Sequence, residues 1–194
     1  MNDQLLWYTT RAAGTVSLVL LSAVTVLGLL ARARAEAPGW PRFLTAALHR
    51  DLALTSVVFL VLHIVTAVVD PFTSLGLTAA VIPFGSYYRT FWLGLGTGAF
   101  ELLLAIVATS LLRHVIGLRA WRAVHWLAYV SWPIAVVHGL GTGTDAGTAW
   151  LLGTTILCCG AVVAAAAYRF LSPGDPLAHE RRLAAMAASD GSRR

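Results

Sequence analysis

Ala47-Leu48-His49-Arg50-Asp51 continues through apolar residues to Val61-Leu62-His63, and Trp121-Arg122-Ala123-Val124-His125 continues in the same way to Val136-Val137-His138. Almost everything inside each interval is compatible with hydrocarbon, so both stretches read as membrane-spanning helices carrying two histidines each. Ionisable residues within spans are costly and mark function by default. The intervals, 49 to 63 and 125 to 138, each correspond to about 20 Å of helix rise. The first is two heptads, so His49 and His63 share a face of a gently coiled helix. The second is one residue shorter, which leaves His138 about 100° off that face on a regular helix. Pro133 lies between His125 and His138 and is expected to supply the kink or re-twist that corrects this.

The rest of the chain extends the same pattern. Its 194 residues are 58% hydrophobic and only 12% charged, with a mean hydropathy of +0.74, against roughly 25% charged residues in soluble domains. This is the composition of an integral membrane protein. The expected architecture is all-α, a polytopic bundle of five transmembrane helices. The spans run from near Arg11 to Ala31, Arg42 to Val69, Phe91 to Leu112, a fourth ending at Gly139-Leu140-Gly141, and Trp150 to Tyr168. Asp70-Pro71 stops the second, and Phe72 to Tyr88 reads as a long connection lying against the membrane face, with Tyr87, Tyr88 and Trp92 as interfacial aromatics. Residues 1–171 form one domain, and 172–194 a cytoplasmic tail with Pro173 and Pro176 that is expected to be mobile.

The net charge of +5 reports topology, with no stripe for nucleic acid to bind. Arg32, Arg34 and Arg42 fall between spans one and two, Arg113, Arg119 and Arg122 between three and four, and Arg169 after span five; the other side has only Arg11 and Arg89. The positive-inside rule places the N-terminus outside and the C-terminus in the cytoplasm of a bacterial-type plasma membrane. Met1-Asn2-Asp3-Gln4 has no basic n-region, so the first span does not read as a cleaved signal. Cys158 and Cys159 are adjacent in an apolar helix and read as packing.

Loop charge makes spans two and four parallel, which puts His49 level with His125 and His63 level with His138. Neutral imidazole is a strong ligand of haem iron, and two axial imidazoles fill its coordination sphere. The expectation is therefore two b-type haems, an inner one on His49 and His125 and an outer one on His63 and His138. Four histidines acting as buried hydrogen-bonding residues, or as a proton relay, would not need two level pairs. Arg50 and Arg122, with Arg119, lie near the inner pair, either as propionate partners or as ordinary cytoplasmic anchors; Arg89, Tyr87 and Tyr88 stand likewise at the outer side. Glu101 lies within span three and calls for a histidine or arginine neighbour or a structural hydrogen bond. His114 and His179 read as solvated.

The paired histidines, together with Arg11-Ala12-Ala13-Gly14, Val81-Ile82-Pro83-Phe84, His125-Trp126-Leu127-Ala128-Tyr129 and His138-Gly139-Leu140-Gly141-Thr142-Gly143, resemble the ferric-reductase-like transmembrane domain. That superfamily includes eukaryotic ferric reductases, NADPH oxidases and the haem-bearing membrane subunit of bacterial methionine-sulfoxide reductase. The resemblance spans about residues 5 to 170. It implies a two-haem bundle passing electrons from an inner donor to an outer acceptor, with the four histidines as ligands. It also implies a place for Arg11 beside the outer haem, on the acceptor side; an interfacial anchor is the alternative. Full reductases carry one more N-terminal span and a flavin and nicotinamide domain, so the expected role is an electron-transfer subunit whose donor is a separate flavoprotein or a membrane quinol. Two alternatives remain: a quinol-oxidising subunit of a periplasmic methionine-sulfoxide repair system and, from another class, a proton-coupled transporter. Fold analogy does not choose an acceptor.

Overall fold

The structure, a computed structural model, describes residues 2–33, 41–71, 75–143, 145 and 147–171. The Arg34-containing loop and the tail from 172, with His179, lie outside the described residues. Among the described residues there are seven helices: α1 (Asn2–Ala33), α2 (Arg42–Val69), α3 (Leu77–Val81), α4 (Thr90–Leu111), α5 (Arg113–His125), α6 (Ala128–Thr142) and α7 (Ala149–Leu171). There is no strand among the described residues. In hydrocarbon, backbone N–H and C=O groups must be satisfied within the segment, and a helix does this.

Four helices, α1, α2, α4 and α7, are each long and apolar enough to cross a membrane; α5 and α6, bent by 45° at their junction, make a fifth if the pair is one span, and α5 is itself broken at Gly117, where φ is 81°. The protein is therefore a multi-pass membrane helix bundle of the architecture expected. One boundary differs. The apolar part of α1 runs from Gln4 rather than from Arg11, because Leu5, Leu6, Trp7 and Tyr8 offer no helix breaker and Arg11 finds an acidic partner inside the bundle. The connection after α2 also holds a short helix, α3, and the turn at Pro83-Phe84.

α1 is the hub. It packs along α2 and α7 and touches α6, while α4 packs on α5 and α6. The small apolar core lies where α1, α6 and α7 meet, with Leu29, Val162 and Ala165 buried against Val26, Tyr129 and Trp132. Large apolar side chains such as Val58, Leu104, Leu157 and Val163 face outward, as expected where lipid tails are the solvent. Polar ties cross the bundle inside: Trp132 Nε1 donates to Ser22 Oγ at 2.9 Å and Ser131 Oγ to the Ala99 carbonyl at 3.1 Å.

The bend in the fifth span is not at Pro133, which lies inside α6. It falls at Trp126-Leu127, directly after His125. Here the backbone tightens to i→i+3 bonds, Leu127 N–H to Val124 O at 2.9 Å, Tyr129 to Trp126 at 3.1 Å and Val130 to Leu127 at 3.0 Å. Such a turn advances about 120° per residue instead of about 100°, so four residues add about 80°. That recovers most of the phase lost in the short interval.

Candidate functional site

α2 and α6 face one another without close backbone packing, and the histidines fill the gap. His49 and His125 form one pair with ring centroids 6.1 Å apart, and His63 and His138 the other at 6.4 Å. The level pairing expected from the sequence is thus the pairing in the fold. Two metal–imidazole bonds of about 2 Å each, plus the reach from each nitrogen to its ring centre, span roughly 6 Å. Each gap therefore has the width for one ion between two imidazoles.

The Nδ1 atoms show which nitrogens face that gap. His49 Nδ1 lies 3.0 Å from the Val24 carbonyl, His63 Nδ1 2.8 Å from that of Thr10, and His138 Nδ1 2.8 Å from that of Trp92. A carbonyl can only accept, so Nδ1 carries the proton and Nε2 keeps its lone pair. Three of the four rings thus keep an Nε2 lone pair free to act as a ligand. The exception is His125, whose buried Nδ1 has no hydrogen-bond partner; its ring lies 5.1 Å from that of Trp121.

These contacts need room on the neighbouring helix, and glycine provides it. A Cβ on Gly14 would lie 2.8 Å from His63 Nδ1, and one on Gly96 only 2.4 Å from His138 Cε1; on Gly28 it would be 3.4 Å from His49 Cε1. Gly28 and Gly96 were not singled out by sequence reasoning. A signal was present, because Gly14 and Gly28 are spaced as His63 and His49 are.

Around the second pair lies a cavity of about 230 Å³, lined among others by Arg11, Asp70, Tyr88, Leu93 and Thr142. Arg11 pairs with Asp145 and lies over the Trp7 ring, so it stands at the His63–His138 level. Asp70 is buried at 4% exposure. The connection closes over this end in strained form. Phe84 has φ 63° with its ring over Gly94, and Arg89 has φ 42° and donates to the carbonyls of Gly141 and Thr142. Non-glycine residues at positive φ are uncommon and persist only where surroundings hold them. Arg89 thus ties the connection to the end of α6.

The remaining candidates lie further out. Arg50 bonds its neighbour Asp51 at 2.9 Å with both side chains exposed, and Arg122 is exposed on α5. Glu101 is on the exposed side of α4, away from the histidines; it has no hydrogen bond or ion pair to a histidine or arginine among the described residues. The expectation of a close basic neighbour is not met. Among the described residues no group of three or more His, Cys, Asp or Glu could hold a bare metal ion. Two axial imidazoles suffice where a porphyrin supplies the other four ligands.

Bundle and site together define a membrane protein with two stacked histidine pairs between parallel helices. The chain matches the family of the ferric reductase like transmembrane component over residues 13–136, and it belongs to that family. The match takes in His49, His63 and His125 and stops two residues before His138. No curated protein and no solved structure matches. Membership points to a membrane component of an electron-transfer system working with redox partners.

Proposed function

We propose that the chain is a transmembrane b-type cytochrome. It carries electrons through two bis-histidine haems, one on His49 and His125 and one on His63 and His138. The observation that carries this reading is the pair of ring separations, 6.1 and 6.4 Å, with three of the four Nδ1 atoms tied to backbone carbonyls. Bound there, each haem supplies a low-spin iron that accepts and releases one electron.

The protein's own residues do the rest. His49 with His125, and His63 with His138, would each hold one haem iron and would leave no ligand position for oxygen or water. The carbonyls of Val24, Thr10 and Trp92 orient three rings and raise their basicity. Gly14, Gly28 and Gly96 let those rings reach the carbonyls. Apolar flanks such as Leu18, Leu60, Leu93 and Leu103 lower the dielectric around the second pair. Arg11 and Asp70 bring charge to its outer end, where the acceptor is to be met. Electrons enter at the His49–His125 level, which loop arginines place on the cytoplasmic side of a bacterial-type plasma membrane, from a flavoprotein or quinol. They leave at the other level to an outer acceptor. Arg50 and Arg122 at the inner face are positioned to meet propionates or an acidic donor surface.

The test is haem content and spectrum. Purified protein is expected to hold two haems per chain with low-spin reduced bands. His49→Ala or His125→Ala should remove one haem, and His63→Ala or His138→Ala the other. A colourless wild-type preparation, or single variants that keep both haems, would overturn the reading.

A further inference from the structure

The three anchoring carbonyls follow one rule. The accepting residue stands four positions before a glycine: Thr10 before Gly14, Val24 before Gly28, Trp92 before Gly96. The reason is helical. A side chain leans toward the N-terminus and covers the turn before it, so the residue at i+4 screens the outer lone pair of carbonyl i. Glycine at i+4 uncovers that carbonyl for a second donor.

On α1 the acceptors, like the glycines, are 14 positions apart, matching the histidines of α2. Carrying the same interval along α4 from Trp92 and Gly96 leads to Ile106 and Ser110. That is the corresponding position on α4 at the other histidine level, and the glycine is replaced there. Ser110 Oγ donates to the Ile106 carbonyl at 2.7 Å and accepts from Trp121 Nε1 at 3.1 Å. The same carbonyl also accepts from Thr109 Oγ1 at 3.2 Å, Trp121 lies beside the imidazole, and among the described residues His125 Nδ1 is a buried atom left without a partner.

We infer that the two haem sites are chemically unequal by construction, and that Ser110 is the positioning residue that makes them so. By occupying the Ile106 carbonyl it withholds the Nδ1–H bond from His125. The His49–His125 iron then has one strongly and one weakly basic imidazole, while the His63–His138 iron has two anchored ones. An imidazole that donates from Nδ1 favours the ferric state. The unanchored ring therefore raises the reduction potential of the His49–His125 haem above that of the same site fully anchored, and holds this haem less tightly. This rests on the haem reading given above.

The experiment is an optical redox titration of the purified two-haem protein, with the steps assigned in the His63→Ala background, where only the His49–His125 haem remains. Ser110→Gly, made in a Thr109→Val background that removes the second hydroxyl from the Ile106 carbonyl, frees that carbonyl. It is expected to move the His49–His125 midpoint to more negative potential, leave the other midpoint in place, and slow transfer of this haem to an apo-globin acceptor on the order of tenfold. Gly28→Ser installs the opposite change on the partner ligand, placing a hydroxyl to compete for the Val24 carbonyl. The same midpoint should move to more positive potential. Two-haem protein in which neither variant shifts that midpoint, or in which Ser110→Gly shifts only the other one, overturns this inference and leaves the haem reading intact. Wild-type protein without haem overturns both.

Discussion

At the scale of single residues, room counts for as much as ligand chemistry. The imidazoles announce themselves in the sequence, because ionisable groups in apolar spans have few other uses. The glycines do not, since glycine is common in spans for several reasons. What Gly14 and Gly96 share is the short approach of a histidine ring across a helix interface, whereas Gly94 and Gly141 make way for the rings of Phe84 and Trp92. Gly96→Ala would bring a Cβ to 2.4 Å from His138 Cε1, a distance that real contacts do not reach. Loss of the His63–His138 haem is expected, read as one haem per chain instead of two. Gly28→Ala, at 3.4 Å from His49, makes an ordinary contact and should keep both haems. Equal haem loss in the two variants would mean that ring clearance is not what these positions provide.

At the scale of elements, α2 and the α5–α6 pair solve the same problem in different ways. α2 is unbroken, and its two-heptad interval brings both rings to one face, as the sequence implies. The other span is one residue short and makes up the phase by over-winding just after His125. Pro133, expected to supply the correction, lies inside an unbroken α6, and the bend falls at Trp126-Leu127 instead, because tertiary packing chooses where a span departs from regular helix. The outer connection was legible only as a long apolar loop. Its fold depends on Phe84 and Arg89 in left-handed conformations, held by Gly94 and by the α6 carbonyls, which are distant in sequence. Arg89→Ala removes the bonds to Gly141 and Thr142. Because the site is exposed, a cost of about 1 kcal/mol is expected. It should appear as a lower melting temperature with both haems still bound; an unchanged melting temperature would show that the clasp is not stabilising.

At the scale of the whole molecule, the question is direction. On the proposed function, two levels of histidines about 20 Å apart along the helices would give electrons a path, and asymmetry at its ends would give a vector. Arg11, Asp145 and Asp70 gather at the His63–His138 end, while Arg113, Arg119 and Arg122 mark the other. Reporter fusions in the loop at 34–40 and beyond 171 are expected to report cytoplasm, and fusions near Gly147 the outside; the reverse pattern would invert the electron path. Membrane class, the five spans and the four ligand candidates were determined by the sequence itself, because hydrophobic length and the cost of intramembrane ionisable groups are local and additive properties of the chain. Which nitrogen of each ring is tied down, which glycines make way for it, where the short span over-winds, and why His125 alone lacks an anchor were decided only by the tertiary structure. Those properties belong to the meeting of helix faces, and the register between two helices is set by packing that neither segment encodes alone.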